Sequence, residues 1–263
     1  MLNLLKSALL GTLEGLTEFV PVSSTGHLIL GSRLLGLDAG FSEIFTIFIQ
    51  SGAMLAVVTL YRRTFAEICF PRFRDRRRAV SPLLPRLVLT TLPGLVVGPL
   101  AHHAIIGRLF QPRAVAAGLI AGGIWIILQE KLSGRRARRE MDQLSLRDAL
   151  VIGLFQCLAM WPGISRAAAS IMGAMLCGLS RRAAAQYSFL AAVPIIAAAS
   201  AYDLLQQPTV GPGETLWLAA GFLSAYLTAL LTLRLFLRWI SRHTYLPFAV
   251  YRFAVGGLAL LIR

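Results

Sequence analysis

Residues 14–27 read EGLTEFVPVSSTGH and interrupt an otherwise apolar N-terminal segment. Glu14 and Glu18 are four residues apart, which places both carboxylates on one face of a helix. An ionised carboxylate near the middle of a bilayer costs roughly 2.5–3.5 kcal/mol on insertion scales. A Pro, three hydroxyl residues, a Gly and a His follow directly. The stretch therefore predicts a broken, membrane-embedded helix whose polar residues have a partner or a function.

The composition indicates a polytopic membrane protein. Of 263 residues, 56% are hydrophobic and only 14% are charged, whereas soluble domains carry about 25% charged residues. The formal net charge is +14, but the basic residues are confined to loops between apolar blocks. This distribution is typical of the positive-inside rule. It predicts a membrane as the partner and no nucleic acid.

The apolar blocks divide into two kinds. Six stretches are long enough, or nearly so, to span about 30 Å as helices. They are residues 41–61, 83–104, 113–130, 184–204, 215–236 and 245–262. Two others, 1–38 and 148–180, are broken midway by Pro, Gly and Ser. Each predicts a re-entrant helical hairpin, which is tolerated where the backbone lines a cavity or is buried in protein.

The loop charges predict the topology. Basic residues cluster in four segments, which are 62–86, 131–147, 181–182 and 234–242. The intervening loops, 105–112 and 205–214, hold one basic residue between them, so the basic segments are predicted to be cytoplasmic. The first hairpin then opens to the outside and the second to the cytoplasm. Each half has one hairpin and three spans. Because three is an odd number, the second half starts on the opposite side of the membrane from the first and has the inverted topology.

The predicted fold is therefore an all-α polytopic membrane protein with six transmembrane helices and two re-entrant helical hairpins, arranged as inverted-topology repeats. Residues 1–263 form a single integral membrane domain, with repeat 1 at about 1–131 and repeat 2 at about 148–263. An offset of 142 residues aligns four pairs, which are Gly11 with Gly153, Glu14 with Gln156, Phe19 with Trp161 and Ser23 with Ser165. Inverted repeats with broken helices place a site near the midplane. The two tips, 21–27 and 161–166, should therefore meet.

The first tip has the groups of an anion site. Ser23, Ser24 and Thr25 can cap the helix that follows, whose free N–H groups suit a phosphate. Gly26 allows a close backbone approach, and His27 can transfer a proton near neutral pH. Simple helix capping and a hydrogen-bonded buried histidine are the structural alternatives.

Glu14 and Glu18 have three interpretations: ligands of a divalent cation, an acid/base pair, or structural partners of Arg166. Hard oxygen ligands suit Mg²⁺ or Ca²⁺, but two carboxylates are too few for a full cage, so water or substrate phosphate must supply the rest. Close carboxylates also resist joint ionisation unless a cation lies between them. A divalent cation is the favoured interpretation.

The second tip supplies the complementary charge. Pro and Gly163 break the incoming helix, Ser165 caps the outgoing one, and Arg166 lies in its first turn. Arginine binds phosphate through its planar fork, although it could also be a counter-ion for the glutamates. Outside the tips, Gln50 is a candidate for lining the same cavity, and Arg252 is interpreted as a structural counter-charge.

Two long motifs resemble one known family. The stretch EGLTEFVPVSSTGHL resembles the signature of bacterial undecaprenyl-pyrophosphate phosphatases, the bacitracin-resistance family. The run WPGISRAAASIMGAMLCGLSRRAAAQYSFLAAVP, which begins at residue 161, resembles the second signature of that family. The resemblance covers essentially the whole chain. It implies a phosphatase of the bacterial inner membrane that removes one phosphate from a C55 polyprenyl pyrophosphate lipid, regenerates the carrier for peptidoglycan synthesis and confers bacitracin resistance.

The resemblance also implies roles for individual residues. The catalytic residues would be Glu14, Glu18, Ser24, His27 and Arg166. Ser24 would be the nucleophile, with His27 as its base, although direct attack by water is an open alternative. The substrate-binding residues would be Ser23, Thr25, Gly26, Gly163 and Ser165. Glu14 and Glu18 would hold the divalent cation, and the site would face the periplasm.

The second motif departs from the family pattern SRSGAT by reading SRAAAS at residues 165–170. A hydroxyl is lost at Ala167, and Ser170 replaces a Thr. These changes put secondary substrate contacts in doubt but leave the main set in place. A secondary transporter or lipid flippase is the rival function, because inverted repeats with broken helices also occur in transporters. A homodimer is compatible with the sequence.

Overall fold

The computed structural model describes residues 2–36, 39–70, 82–109, 111–133, 138–205 and 215–261. Within these ranges the chain forms α-helices joined by short turns and contains no β-strand, which confirms the all-α prediction. The helices are α1 (Leu2–Thr17), α2 (Ser24–Leu34), α3 (Ala39–Leu60), α4 (Arg62–Cys69), α5 (Leu83–Leu109), α6 (Pro112–Ser133), α7 (Leu146–Cys157), α8 (Arg166–Leu176), α9 (Arg181–Leu204), α10 (Thr215–Ile240) and α11 (Leu246–Leu261).

Four helices are long and apolar enough to cross a membrane. Their apolar segments are Leu83–Ala101, Arg113–Leu132, Arg181–Leu204 and Thr215–Ile240. A fifth candidate is α3 taken together with α4, which is bent away from it by 85°. Helix α11 is apolar but has only 16 residues. The chain is therefore a multi-pass helical membrane protein, and the count of six spans stays a prediction.

The bend between α3 and α4 differs from the sequence interpretation of residues 62–86 as a loop. The segment begins with two arginines and includes Glu67, and all three side chains are exposed while Phe65 and Ile68 pack against the main hydrophobic core. Apolar and polar side chains at helical spacing stabilise a short amphipathic helix at an interface. The chain therefore turns by 85° and continues as a helix instead of ending at Leu60.

Both predicted breaks are present, and they share one local structure. Helices α2 and α8 each have 11 residues and begin directly after Ser23 and Ser165. Ser23 has φ 74° and Ser165 has φ 76°, which is uncommon for a residue other than glycine. Each serine Oγ accepts a hydrogen bond from the backbone N–H three residues later, at 3.3 Å and 3.2 Å respectively. The same cap thus recurs 142 positions further along the chain.

The two halves of the chain are interleaved. Helix α10 of the second half packs on α1 and α3 of the first half. Helix α5 of the first half packs in the same way on α7 and α9 of the second half. Helix α6 packs against α11. Glycines allow these close approaches: a Cβ on Gly11 would lie 2.2 Å from the carbonyl oxygen of Gly221, and small residues are typical of helix contacts in membranes. Each broken helix pair is therefore supported by a long helix from the other half.

Candidate active site

The two tips line one cavity of about 180 Å³. Seven of the ten predicted site residues line it: Glu18, Ser23, Ser24, Thr25, Gly163, Ser165 and Arg166. Gln50 of α3 lines it as well, and the apolar wall includes Ile195 and Ile196 of α9. The predicted meeting of the tips is therefore confirmed. Glu14, Gly26 and His27 lie outside this lining.

The cavity has the features of an anion site. The N-termini of α2 and α8 both reach it, because Thr25 and Arg166 belong to the first turns of these helices. The first N–H groups of a helix have no partner within the helix and carry the positive end of its dipole. The guanidinium of Arg166 adds a full positive charge. Two helix ends and an arginine are well suited to a phosphate group.

Glu18 connects the charge of one tip to the hydroxyl of the other. Nε and Nη2 of Arg166 both donate to Oε1 of Glu18 at 3.2 Å, and Nη1 donates to the backbone oxygen of Ser188 at 3.2 Å. The Ser24 hydroxyl donates to Oε2 of Glu18 at 2.5 Å. Phe19 packs under the guanidinium, and the centre of its ring lies 5.9 Å from Cζ of Arg166. The carboxylate is therefore positioned to accept the Ser24 proton.

His27 occupies a different position from the one expected of a base for Ser24. Its Nδ1 lies 2.7 Å from the backbone oxygen of Ser23, and its Nε2 lies 2.7 Å from the hydroxyl of Tyr251. A carbonyl oxygen can only accept, so Nδ1 carries a proton, and Nε2 of the neutral ring accepts from the Tyr251 hydroxyl. Ser24 donates to Glu18 instead. His27 thus holds the backbone of the first tip.

Glu14 lies one turn before Glu18, whose N–H donates to the Glu14 backbone oxygen at 2.9 Å. Its side chain is fully buried, and neither carboxylate oxygen has a hydrogen-bond partner in the described part of the chain. Gln156, the residue aligned with Glu14 in the second half, is also buried, and neither of its side-chain polar atoms has a partner among the described residues. Within the described ranges, no group of three or more His, Cys, Asp and Glu side chains is arranged to hold a metal ion.

Arg252 binds carbonyl oxygens instead of the acidic partner that its sequence interpretation as a counter-charge predicts. Its side chain is fully buried in α11 and donates to Pro21 at 3.0 Å and to Gly163 at 2.7 Å. It also donates to two carbonyls of α6, at Leu119 and Gly118, both at 3.1 Å. One side chain therefore ties both tips to α6. The sequence signal was a Tyr-Arg pair in an apolar stretch.

The two predicted glycines differ in what they permit. Gly163 has φ 100°, and a Cβ there would lie 2.3 Å from the backbone oxygen of Val115. A Cβ on Gly26 would meet the Val115 side chain at 3.2 Å and the Ser23 Oγ at 3.3 Å. Gly163 is therefore required by backbone conformation and by close packing on α6, whereas Gly26 is limited by side chains alone.

The fold and the cavity define a class: a multi-pass helical membrane protein with a cavity, lined by two helix N-termini and an arginine, between two broken helix pairs. Comparison with known proteins gives the family. The family described as bacitracin resistance protein BacA matches residues 7–258. The chain belongs to this family.

Relatives match along nearly the full chain. An undecaprenyl-diphosphatase of Nitratidesulfovibrio vulgaris (strain DP4) is 45% identical over 259 residues, which cover 98% of this chain and 97% of the relative. An undecaprenyl-diphosphatase of Maridesulfovibrio salexigens is 44% identical over 261 residues, with 99% and 98% covered. A third, from Oleidesulfovibrio alaskensis, is 44% identical over 264 residues, with 99% of both chains covered.

Proposed function

We propose that the protein hydrolyses undecaprenyl diphosphate to undecaprenyl phosphate and inorganic phosphate, the activity named for its relatives. The observation that carries the proposal is the convergence, in one cavity, of two helix N-termini, the Arg166 guanidinium and a Ser24 hydroxyl bonded to Glu18. These groups supply an anion site, a nucleophile and a base. The wall formed by α9 suits the first part of an apolar lipid tail.

In the proposed reaction, the two phosphates bind Arg166 and the free N–H groups of α2 and α8. Ser24 Oγ attacks the terminal phosphorus and transfers its proton to Oε2 of Glu18. The P–O bond to the inner phosphate breaks, Glu18 gives its proton to the oxygen of that phosphate, and undecaprenyl phosphate leaves. Glu18, again ionised, then takes a proton from the water that attacks the phosphoserine and returns it to Ser24 Oγ as inorganic phosphate is released. Direct attack by water is the competing mechanism, and trapping a phosphorylated Ser24 would distinguish the two.

Roles for the other site residues follow from their contacts. His27 is proposed as a positioning residue, because its ring joins the Ser23 backbone to Tyr251 and leaves Ser24 to Glu18. The hydroxyls of Ser23 and Ser165 cap their helices. Because these hydroxyls are used as caps, we propose that Ser23 and Ser165 contact the substrate with backbone atoms of the tips. Thr25 and Gly163 are proposed to contact it as well.

A divalent cation, Mg²⁺ or Ca²⁺, is proposed at the carboxylates. An ionised carboxylate buried without a partner is destabilised by several kcal/mol, and the two Glu14 oxygens, which bond no described residue, would be satisfied by a hard cation. Glu18 already accepts from Arg166 and Ser24, so it would contribute less, and water or phosphate would complete the coordination. When bound, the cation would offset negative charge on the phosphates.

The finer architecture is also proposed: six transmembrane helices and two re-entrant hairpins in inverted-topology repeats of about 1–131 and 148–263. The repeated cap at Ser23 and Ser165 and the interleaved packing of the halves support it. The second tip also lies near the start of α6, where the Trp161 indole N–H donates to Ala114 at 2.9 Å. With the basic segments cytoplasmic, that end of α6 and the cavity face the periplasm.

Localisation in the inner membrane, a role in peptidoglycan synthesis and in bacitracin resistance, and a homodimer are further parts of the proposal. One chain supplies both tips, so the cavity needs no second copy. The orientation can be tested in intact cells with a membrane-impermeant thiol reagent, after the native cysteines have been replaced. A cysteine at exposed Gln111 should react, and one at exposed Arg147 should not. Labelling at position 147 but not at position 111 would show that the protein has the opposite orientation.

The activity is tested by phosphate release from the C55 lipid pyrophosphate in detergent. We expect release by the unmodified protein and strong loss in Ser24→Ala and Arg166→Ala. Ser200→Ala is the matched control, because Ser200 is buried outside the cavity lining and its hydroxyl bonds no residue that the structure describes. Equal release by all four proteins would refute the assignment of the site. Lipid movement between leaflets without phosphate release would favour a transporter or flippase.

A further inference from the structure

A second polar cavity lies at the other end of the bundle. It measures about 500 Å³, and we call it the arginine cavity. Its polar lining consists of Tyr61, Arg182, Gln186, Arg234, Arg238 and Ser241. Helices α3 and α9 run from one cavity to the other. Gln186 lines the arginine cavity and Ile195 lines the active site, and these nine residues of α9 correspond to about 14 Å along the axis.

The three guanidiniums of this cavity have no acidic partner among the residues that the structure describes. Over the ranges that the structure describes, Arg182, Arg234 and Arg238 form no ion pair and donate no hydrogen bond, and no acidic residue lines the cavity. Arg181, the neighbour of Arg182, is committed elsewhere, because it binds Glu130 at 2.5 Å. Three positive charges thus converge on a single cavity.

Two further features distinguish this cavity from an ordinary basic loop. Arg234 and Arg238 are four residues apart on α10, where like charges repel each other. The hydroxyl oxygen of Tyr61 is buried beside Gln186, and no described residue meets hydrogen-bond geometry with it. An anion with several acceptor oxygens would relieve the repulsion and accept from the tyrosine.

We propose that the arginine cavity binds a phosphate group, either on an anionic lipid headgroup or as free phosphate. Arginine forks match phosphate oxygens, and basic pockets between transmembrane helices on the cytoplasmic side bind phosphorylated lipid headgroups. Here Arg182 comes from α9, Arg234 and Arg238 come from α10, and Gln186 supplies an uncharged donor. This site is separate from the proposed active site and does not depend on catalysis.

The test uses the full-length protein in a non-ionic detergent. Its Tm is measured against increasing dihexanoyl phosphatidic acid, inorganic phosphate or dihexanoyl glycerol, which has the same tails without phosphate. The variant carries Arg182→Gln, Arg234→Gln and Arg238→Gln. We expect phosphatidic acid to raise the Tm of the unmodified protein. The apparent affinity of the variant should be weaker by about tenfold or more, because each lost charge-assisted hydrogen bond contributes a large part of the binding free energy.

The matched control loses the same charge elsewhere at this end of the bundle. It carries Arg63→Gln, Arg138→Gln and Arg147→Gln, which are exposed and outside the cavity lining. Both variants keep the active site, and phosphate release checks that both are folded. The difference between their Tm responses therefore reports the arginine cavity alone.

The outcomes separate the sources and the alternatives. A response to phosphatidic acid alone identifies a lipid headgroup, and an equal response to inorganic phosphate identifies the free anion. The proposal is overturned if the control loses as much affinity as the variant, because diffuse surface charge would then explain binding. It is also overturned if dihexanoyl glycerol gives the same shift, or if neither phosphate probe shifts the Tm of the unmodified protein.

Discussion

Arg166 and Glu18 lie 148 residues apart in the chain, yet Nε and Nη2 of Arg166 both bind the same oxygen of Glu18 at 3.2 Å. A guanidinium has five N–H groups. Three are used by Glu18 and by the Ser188 carbonyl, so two remain for a phosphate. The ion pair therefore fixes the arginine and orients the carboxylate toward Ser24 without using up the anion site.

Replacement of Glu18 by Gln tests its assignment as the base for Ser24. The amide can still accept the Ser24 hydrogen bond but cannot take the proton, so we expect kcat for phosphate release to fall by about 10²–10⁴-fold. Glu130→Gln is the matched control, because Glu130 is also buried and also pairs with an arginine, Arg181. It should lower the Tm and leave kcat near that of the unmodified protein. Similar kcat values for both variants would contradict the assignment.

Replacement of Glu14 by Gln tests the proposed cation. If Glu14 is a ligand, chelation abolishes activity, Mg²⁺ restores it, and Glu14→Gln raises the Mg²⁺ concentration for half-maximal activity by roughly 10–100-fold. Mg²⁺ should also raise the Tm of the unmodified protein but not of the variant. Glu140→Gln, at an exposed position, is the control.

A different result is expected if Glu14 does not bind a cation. If Glu14 is a protonated structural residue, Gln has nearly the same shape and removes no charge. The variant would then keep the Mg²⁺ response of the unmodified protein and be at least as stable, and the carboxylate pair would not be a metal site.

The breaks in the helices could be predicted from sequence because their causes are local. Pro and Gly end a helix within a turn, and a serine cap acts on an N–H three residues away. These signals give α2 its start after Ser23 and α8 its start after Ser165. The basic residues of the loops predict the topology of the chain. That topology makes the two halves inverted repeats, whose broken tips are expected to meet.

The internal partners of the site could not be predicted, because they depend on tertiary packing. Arg252 binds carbonyls at Pro21 and Gly163, 231 and 89 residues away, and a backbone oxygen leaves no mark in a side-chain pattern. Ser23 takes a positive φ, which is uncommon for a residue other than glycine. Ser24 bonds Glu18, whereas the family resemblance implies the nearby His27 as its partner.

Replacement of Arg252 by Lys tests its role as a positioning residue. Lysine keeps the charge, but one ammonium cannot satisfy four carbonyls on three segments, and each buried carbonyl left without a donor costs about 1–3 kcal/mol. We expect a lower Tm and a loss in kcat of about tenfold or more at temperatures where the variant is fully folded. Arg113→Lys, exposed at the start of α6, is the control. A lower Tm with unchanged kcat would show that Arg252 supports the fold alone.

Replacement of Gly163 by Ala tests whether the second tip needs its exact backbone. The substitution places a Cβ 2.3 Å from the Val115 carbonyl at φ 100°, so the tip must move away from α6. Such strain costs about 1–3 kcal/mol, and it would displace the carbonyl that binds Arg252.

The matched control for Gly163→Ala is Gly257→Ala. Gly257 lies in α11 with nothing within 4 Å of a built Cβ, and alanine in a helix is favoured over glycine by roughly 0.5–1 kcal/mol. Gly257→Ala should therefore keep or raise the Tm and preserve phosphate release, whereas Gly163→Ala should lower both. If Gly163→Ala releases phosphate as fast as Gly257→Ala, the close contact between the second tip and α6 is not required for the active site to form.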